Sequence, residues 1–187
     1  VNAFISISRG CDKFCTFCIV PFTRGRERSR SNESIIREVQ DAIKNGFAEI
    51  TLLGQNVNSY RTEEGKFPHL LEGVALVPGV KRIRYMSPHP QDMDDHLLQV
   101  MSEHENICNY VHLPLQAGSD RILNRMNRTY TKTEFLNLVD SIRDYMPDCS
   151  ISTDIIVGFP GETKAEYEET LEVMNQVIFD RAFMFKY

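Results

Sequence analysis

Nothing in this 187-residue chain approaches the run of about 18 apolar residues that a membrane-spanning helix needs, so no helical transmembrane segment is expected. A charged start followed by an apolar core and a small-residue cleavage site is missing, as is an initiating Met, so no secretory signal is read. Basic excess is also absent. The 21 Lys and Arg face 26 Asp and Glu, a net charge of −5 that argues against a wholly basic nucleic-acid binder but not against a local basic surface. Cysteine is sparse, at 5 residues. With no secretory signal, it points to a reducing compartment, here the cytoplasm, rather than to a disulfide scaffold. No repeat or low-complexity segment intervenes. What is present is ordinary for a globular domain: 42% hydrophobic and 25% charged residues, enough for one sizeable core. The chain starts and stops inside strand-like runs, so 1–187 is read as one central domain of a longer protein.

Strand-like runs at 3–8, 49–53, 82–86, 110–113, 150–157 and 182–187 alternate with helical patterns. Ile35, Ile36, Val39 and Ile43 share one helical face, and Leu97, Leu98 and Met101 another. Phe135, Leu136, Val139 and Ile142 make a third, and Tyr167, Leu171, Met174 and Ile178 a fourth. Thr131 with Glu134, and Thr163 with Glu166, have the spacing of capping boxes. This alternation predicts an α/β fold of parallel strands joined by right-handed crossovers, curled into a barrel or an open partial barrel. In such barrels the chemistry sits at the C-terminal ends of the strands.

The C-terminal end of the first strand carries Cys11, Cys15 and Cys18 in the spacing C-x3-C-x2-C. Three thiolates on one short loop can hold three corners of a [4Fe-4S] cluster. The fourth iron is then open to a small molecule, and this spacing is the one used to chelate S-adenosylmethionine for radical chemistry. A disulfide pair would leave one thiol over. A closed zinc site wants four ligands, and no His or fourth Cys lies near the loop. Cys108 and Cys149 are isolated and are read as buried core thiols.

The other strand ends carry polar groups. The second ends in Leu53-Gly54-Gln55-Asn56-Val57-Asn58-Ser59-Tyr60, whose amides and hydroxyls suit either a polar turn or a bound amino-acid group. The third ends in Ser87-Pro88-His89-Pro90. After the fourth, Gln116 and Ser119 could bond ribose hydroxyls, while Ser119 or Asp120 could equally cap the next helix. After the fifth, Gly158 and Gly161 permit close backbone approach or simply a tight turn, and the Lys-Ser/Thr ending of a phosphate loop is missing. Phe17 is a flat side chain beside the cysteines that could pack on an adenine or merely fill the loop. Arg24, Arg26, Arg28 and Arg30 recur at every second position, a pattern suited to phosphate and base contacts or to a solvated face.

Taken together, the blocks Arg9-Gly10-Cys11-Asp12, Cys15-Thr16-Phe17-Cys18, Pro21-Phe22-Thr23-Arg24-Gly25-Arg26-Glu27-Arg28-Ser29-Arg30 and Leu53 to Tyr60 resemble the radical S-adenosylmethionine methylthiotransferases, and within them the MiaB type. The blocks at 112–120 and 153–163 fit as well, so the resemblance covers essentially the whole chain. It implies a partial (β/α)6 TIM-like barrel of the radical SAM type. It also implies flanking parts outside 1–187: an N-terminal methylthiotransferase domain with an auxiliary [4Fe-4S] cluster and a C-terminal RNA-binding TRAM domain.

The implied reaction places a methylthio group on C2 of N6-isopentenyladenosine-37 in tRNA. Cys11, Cys15 and Cys18 would ligate the cluster, and Phe17, Gln55, Ser87, Gln116 and Ser119 would hold S-adenosylmethionine. Arg24, Arg26, Arg28 and Arg30 would contact the anticodon stem-loop. The implied partners are tRNA and an external flavodoxin- or ferredoxin-like electron donor, with no membrane and a monomeric protein. Related enzymes that modify a ribosomal-protein aspartate or threonylcarbamoyladenosine fit the Leu53 to Tyr60 block less well. Outside the class, the alternative is an RNA-binding module stabilised by zinc on the three thiols and a distant His.

Overall fold

The computed structural model describes all 187 residues. They divide into two compact units: Val1–Asp12 with Ile19–Asn109, and Lys13–Cys18 with Tyr110–Tyr187.

In the first unit, β1 (Asn2–Ser6), β2 (Glu49–Leu53) and β3 (Arg82–Tyr85) form a parallel sheet with β2 in the middle. Ile5 lies opposite Leu52, and Ile50 opposite Ile83. Its helices are α1 (Val20–Arg24), α2 (Asn32–Lys44), α3 (Phe67–Ala75) and α4 (Asp95–Glu103). Strand side chains alternate. Ile50, Leu52, Ile83 and Tyr85 are buried, while Arg82 and Arg84 on the other face pair with Glu49. Ile35, Val39, Phe67, Leu70, Leu71, Leu97 and Leu98 complete the core, with Phe67 edge-on to Tyr85 at 5.3 Å. Each fully buried side chain of this size contributes roughly 1.5–3 kcal/mol.

The second unit repeats the scheme. β4 (Tyr110–His112), β5 (Ser150–Val157) and β6 (Arg181–Lys186) form a parallel sheet with β5 central, accompanied by α5 (Asp120–Arg125), α6 (Lys132–Tyr145) and α7 (Lys164–Val177). Val111, Ile151 and Ile155 are buried, with Ile122, Leu123, Phe135, Val139, Ile142, Val173 and Val177 from the helices. Both expected capping boxes are formed, Thr131 with Glu134 on α6 and Thr163 with Glu166 on α7.

Three expectations need correction. The first strand ends at Ser6 rather than at 8. Ser8–Arg9 leaves the sheet to pair antiparallel with Arg28–Ser29, which brings the arginine run back beside Cys11. Cys108 is only half-buried, although Cys149 is buried as expected.

The face expected on α7 is turned outward. Tyr167, Leu171 and Ile178 are exposed, and the buried residues are Glu166, Thr170, Val173 and Val177, one position earlier throughout. One position rotates a helix by about 100°. Polar groups set the register: the Gly118 N–H donates to Thr170 Oγ1 at 2.9 Å, and Arg121 Nε donates to Glu166 Oε1 at 2.6 Å. A Cβ on Gly118 would lie 2.6 Å from Glu169 O and from Thr170 Cα, so only glycine lets α7 sit this close.

Candidate metal centre

Cys11, Cys15 and Cys18 are half-buried, in no disulfide, and lie on the loop that leads from Ser8–Arg9 into α1. The loop is pinned at both ends. In the first unit, the Gly10 N–H donates to Gln55 Oε1 at 2.6 Å and the Cys11 N–H donates to Gly25 O at 3.2 Å. Gly10 has φ +81°, and a Cβ there would lie 2.2 Å from Arg26 O, so the turn into the first cysteine requires glycine. The Asp12 carboxylate accepts from the Glu27 N–H at 3.2 Å and pairs with Arg26 at 2.9 Å.

Residues 13–18 belong to the second unit, where the segment after α5 clasps them. The Thr16 N–H donates to Met126 O at 3.1 Å, and Thr16 Oγ1 donates to Arg125 O at 2.9 Å. Asn127 Nδ2 donates to both Lys13 O and Phe14 O at 3.0 Å. Arg128 Nη1 points at Cys15 Sγ, 3.4 Å away. Asn127 and Phe14 both carry positive φ, 56° and 50°, a strained backbone that the mutual hydrogen bonds hold in place. Sequence reasoning missed this clasp.

The sulfur set suits iron. Three thiols within eight residues are soft donors of the kind iron–sulfur clusters use, and the one carboxylate in that stretch, Asp12, is taken by Arg26 and the Glu27 N–H. No three His, Cys, Asp or Glu side chains converge as the ligands of one metal ion would. Thiolates bound to separate irons of a cluster need no such convergence. Burial pushes the Cys149 thiol up to about 11 and raises Cys108, so the thiolate form is costlier at both than at an ordinary cysteine.

The residues expected at a bound S-adenosylmethionine have different fates. Gln116 is buried at φ +69°, and its side-chain Oε1 has no donor. A buried acceptor left unpaired in a strained backbone suits a ligand that brings hydroxyl or ammonium donors. Gln55 is exposed and has its oxygen committed to Gly10. Ser87 is exposed at φ +60°, and its carbonyl accepts from the Val57 N–H at 3.2 Å. Ser119 is buried and donates to Glu166 Oε1 at 3.3 Å, so its hydroxyl ties α5 to α7. It stands at the N-cap of α5 without a side-chain capping bond. Phe17 is half-buried in the loop.

The arginines separate into two pairs. Arg30 is structural, donating to Ser6 O and Ser34 Oγ, both at 2.8 Å, and pairing with Glu38 at 2.7 Å. Arg26 is tied to Asp12. Arg24 and Arg28 are exposed, and their side chains carry no hydrogen bond or ion pair.

A polar cluster that sequence reasoning did not single out lies on one face of the second sheet. Tyr110 Oη meets Ser152 Oγ at 2.6 Å, His112 Nδ1 meets the same oxygen at 2.8 Å, and His112 Nε2 meets Asp154 Oδ2 at 3.2 Å. The parallel register sets Tyr110 opposite Ser150 and His112 opposite Ser152, so these side chains share a face by the two-residue period. That periodicity was the signal that could have found them.

The family model described as Radical SAM superfamily matches residues 5–174. The tRNA-2-methylthio-N(6)-dimethylallyladenosine synthase of Porphyromonas gingivalis is 53% identical over 191 residues, covering 100% of this chain and 41% of that protein. The protein of the same name from Acetivibrio thermocellus is 50% identical over 190 residues, covering 100% and 40%. The chain thus spans about two-fifths of the length of these relatives. Among solved structures, the radical S-adenosylmethionine methyltransferase TsrM of Kitasatospora setae, with cobalamin and a [4Fe-4S] cluster bound, matches with TM-score 0.80 at 15% identity over 98% of this chain and 36% of its own. Methylornithine synthase (PylB) matches with TM-score 0.68 at 18% identity, over 100% and 53%. At such identities the likeness shows the fold, and the expected partial (β/α)6 barrel of the radical SAM type stands. No helix is long and apolar enough to cross a membrane.

Proposed function

The chain belongs to the radical SAM superfamily, and from that membership we propose that it is the radical-generating domain of a tRNA methylthiotransferase acting on C2 of N6-isopentenyladenosine-37. The observation that carries this reading is the 53% identity, across all of this chain, to a synthase of 2-methylthio-N(6)-dimethylallyladenosine in tRNA. A [4Fe-4S] cluster with one iron open to S-adenosylmethionine supplies, when bound, reductive cleavage to a 5′-deoxyadenosyl radical.

The chain's own residues bind and orient. Cys11, Cys15 and Cys18 are the cluster ligands. Gln55 acts at one remove from the cofactor, fixing Gly10 and with it the approach to Cys11. Gln116 offers its unpaired oxygen to the amino-acid or ribose part of S-adenosylmethionine, and Phe17 a flat surface to its adenine. Ser87 is kept as an exposed polar contact and Ser119 as a structural one. Arg24 and Arg28 take phosphates of the anticodon stem-loop, with Arg26 and Arg30 supporting the segment that presents them. The target adenosine is reached as an unstacked loop base. Cys108 and Cys149 cannot make a second ligand set, so an auxiliary sulfur-donating cluster belongs to parts of the protein outside 1–187. The domain works in the cytoplasm as a monomer, with a flavodoxin- or ferredoxin-like electron donor.

The test is mass spectrometry of tRNA nucleosides from cells lacking the complete protein. The methylthio nucleoside should vanish and its isopentenyladenosine precursor accumulate. An unchanged nucleoside profile would remove this function. Loss of a methylthiolated threonylcarbamoyladenosine instead would move the chain to the sister activity.

A further inference from the structure

Among the lysines and arginines, Arg128 is the most deeply withdrawn from solvent, at 8% exposure. Its guanidinium is held by three groups: Nε donates to Tyr130 Oη at 3.0 Å, Nη2 donates to Pro114 O at 3.1 Å, and Nη1 donates to Cys15 Sγ at 3.4 Å. Tyr130 is fixed in turn, its hydroxyl shared between Pro114 O at 2.8 Å and Leu115 O at 3.0 Å, and its ring lies 5.1 Å from the guanidinium carbon. None of these partners is a carboxylate. An arginine stays charged in any protein environment, and a buried charge without a counter-charge is costly. The group at Nη1 best able to carry the balancing negative charge is the sulfur of Cys15.

We propose that Arg128 is a positioning and tuning residue for the cluster, fixing the Cys15 sulfur and raising the reduction potential of a cluster bound through it. The inference rests on reading Cys15 as a cluster ligand. The physical reasoning is electrostatic. One-electron reduction adds negative charge to the cluster and its sulfurs. A fixed cation that donates a hydrogen bond to one ligating sulfur stabilises the reduced form more than the oxidised form. Hydrogen bonds to the sulfurs and net local charge are among the levers that set such potentials. The lever here is rigid. The Arg128 fork is locked by Tyr130 and Pro114, and the adjacent Asn127 grips the backbone of Lys13 and Phe14 on the same loop.

The experiment is an EPR-monitored redox titration of the reconstituted complete protein, comparing wild type with Arg128→Gln, Arg128→Lys and Tyr130→Phe. The signal absent from a Cys15→Ala variant isolates this cluster from any other. Iron content and apoprotein melting temperature are measured alongside. Arg128→Gln should load iron yet titrate at a more negative potential than wild type. Arg128→Lys, which keeps the charge and loses the planar fork, should fall between them. Tyr130→Phe, which keeps the charge but loosens the fork, should shift the potential in the same direction by less than Arg128→Gln. If Arg128→Gln does not fold, Arg128→Lys carries the test through its shift against wild type. An unchanged potential in the folded Arg128 variants overturns the proposal. Weakened S-adenosylmethionine binding at unchanged potential overturns it as well, assigning the guanidinium to the cofactor's carboxylate. Failure of wild-type protein to load about four irons on the triad would defeat the cluster reading itself rather than this inference.

Discussion

Gln55 accepts the Gly10 N–H at 2.6 Å on its side-chain oxygen, so the loop closing β2 holds the residue directly before Cys11. Gly10 is buried, and its N–H has nowhere else to turn. Removing the acceptor strands a buried donor, a loss of about 1–3 kcal/mol concentrated on this turn. Gln55→Ala should therefore reduce the iron retained after reconstitution, measured by visible absorbance and iron assay. Gln55→Glu, which keeps an acceptor, should retain more. Equal iron loading in both variants and wild type would mean that this hydrogen bond does not shape the loop.

Close approach of α7 to the segment before α5 rests on a missing side chain. A methyl on Gly118 would collide with the Glu169 carbonyl and with Thr170 Cα, both at 2.6 Å, and backbone cannot swing aside as a flexible side chain would. Gly118→Ala should destabilise the domain by about 1–3 kcal/mol, as overpacking does. Urea unfolding would measure it. Stability equal to wild type would show that α7 shifts freely.

Glu166 gives the fold a pH signature. Hydrogen bonds from Arg121 first, then from the Thr163 N–H and hydroxyl, hold its carboxyl well below the ordinary carboxylate range, with burial acting the other way. A lowered folded value means that the stabilisation is complete above the ordinary value near 4.5 and is lost as pH falls through the lower folded value. Glu166→Gln should therefore be less stable than wild type at pH 7, and the gap should narrow steadily on acidification below about pH 4. Urea midpoints at several pH values measure the gap. A gap that does not change with pH would mean that the charge on Glu166 contributes nothing.

Local signals carried much of this fold. The strands at 49–53 and 150–157 lie where alternation and β-branched residues put them, and both capping boxes rest on a three-residue spacing. α3 has a helical signal of its own: Phe67, Leu70, Leu71 and Val74 fall at i, i+3, i+4 and i+7, with Pro68 in the first turn, but the flanking glycines suggest a loop. The α7 register was not legible, because polar bonds reaching 45 to 52 residues away decide which face turns inward. The clasp on the cysteine loop is hidden for the same reason, joining Cys15 to a residue 113 positions later. The cysteine triad needed no such information, because spacing alone puts three soft donors on one loop.

The arginine run divides into engaged and unengaged side chains. Four alternating arginines look equivalent in sequence, but Arg30 is anchored to Ser6, Ser34 and Glu38 and Arg26 to Asp12, which leaves Arg24 and Arg28 exposed and unengaged. Phe22, on α1 two residues before Arg24, is 76% exposed. If Arg24 and Arg28 bind RNA phosphates, each releases bound counterions, and removing either arginine should lower the slope of log affinity against log salt by about 0.7–0.9. In the complete protein, the Arg24→Ala, Arg28→Ala double variant should bind tRNA more weakly at low salt with a slope shallower by about 1.4–1.8, while its melting temperature stays near wild type. Arg30→Ala should do the reverse, lowering the melting temperature because Ser6 O and Glu38 lose their partner. Filter binding across a salt series, paired with thermal melts, separates the two. A full salt slope in the double variant would show that the phosphates are held elsewhere.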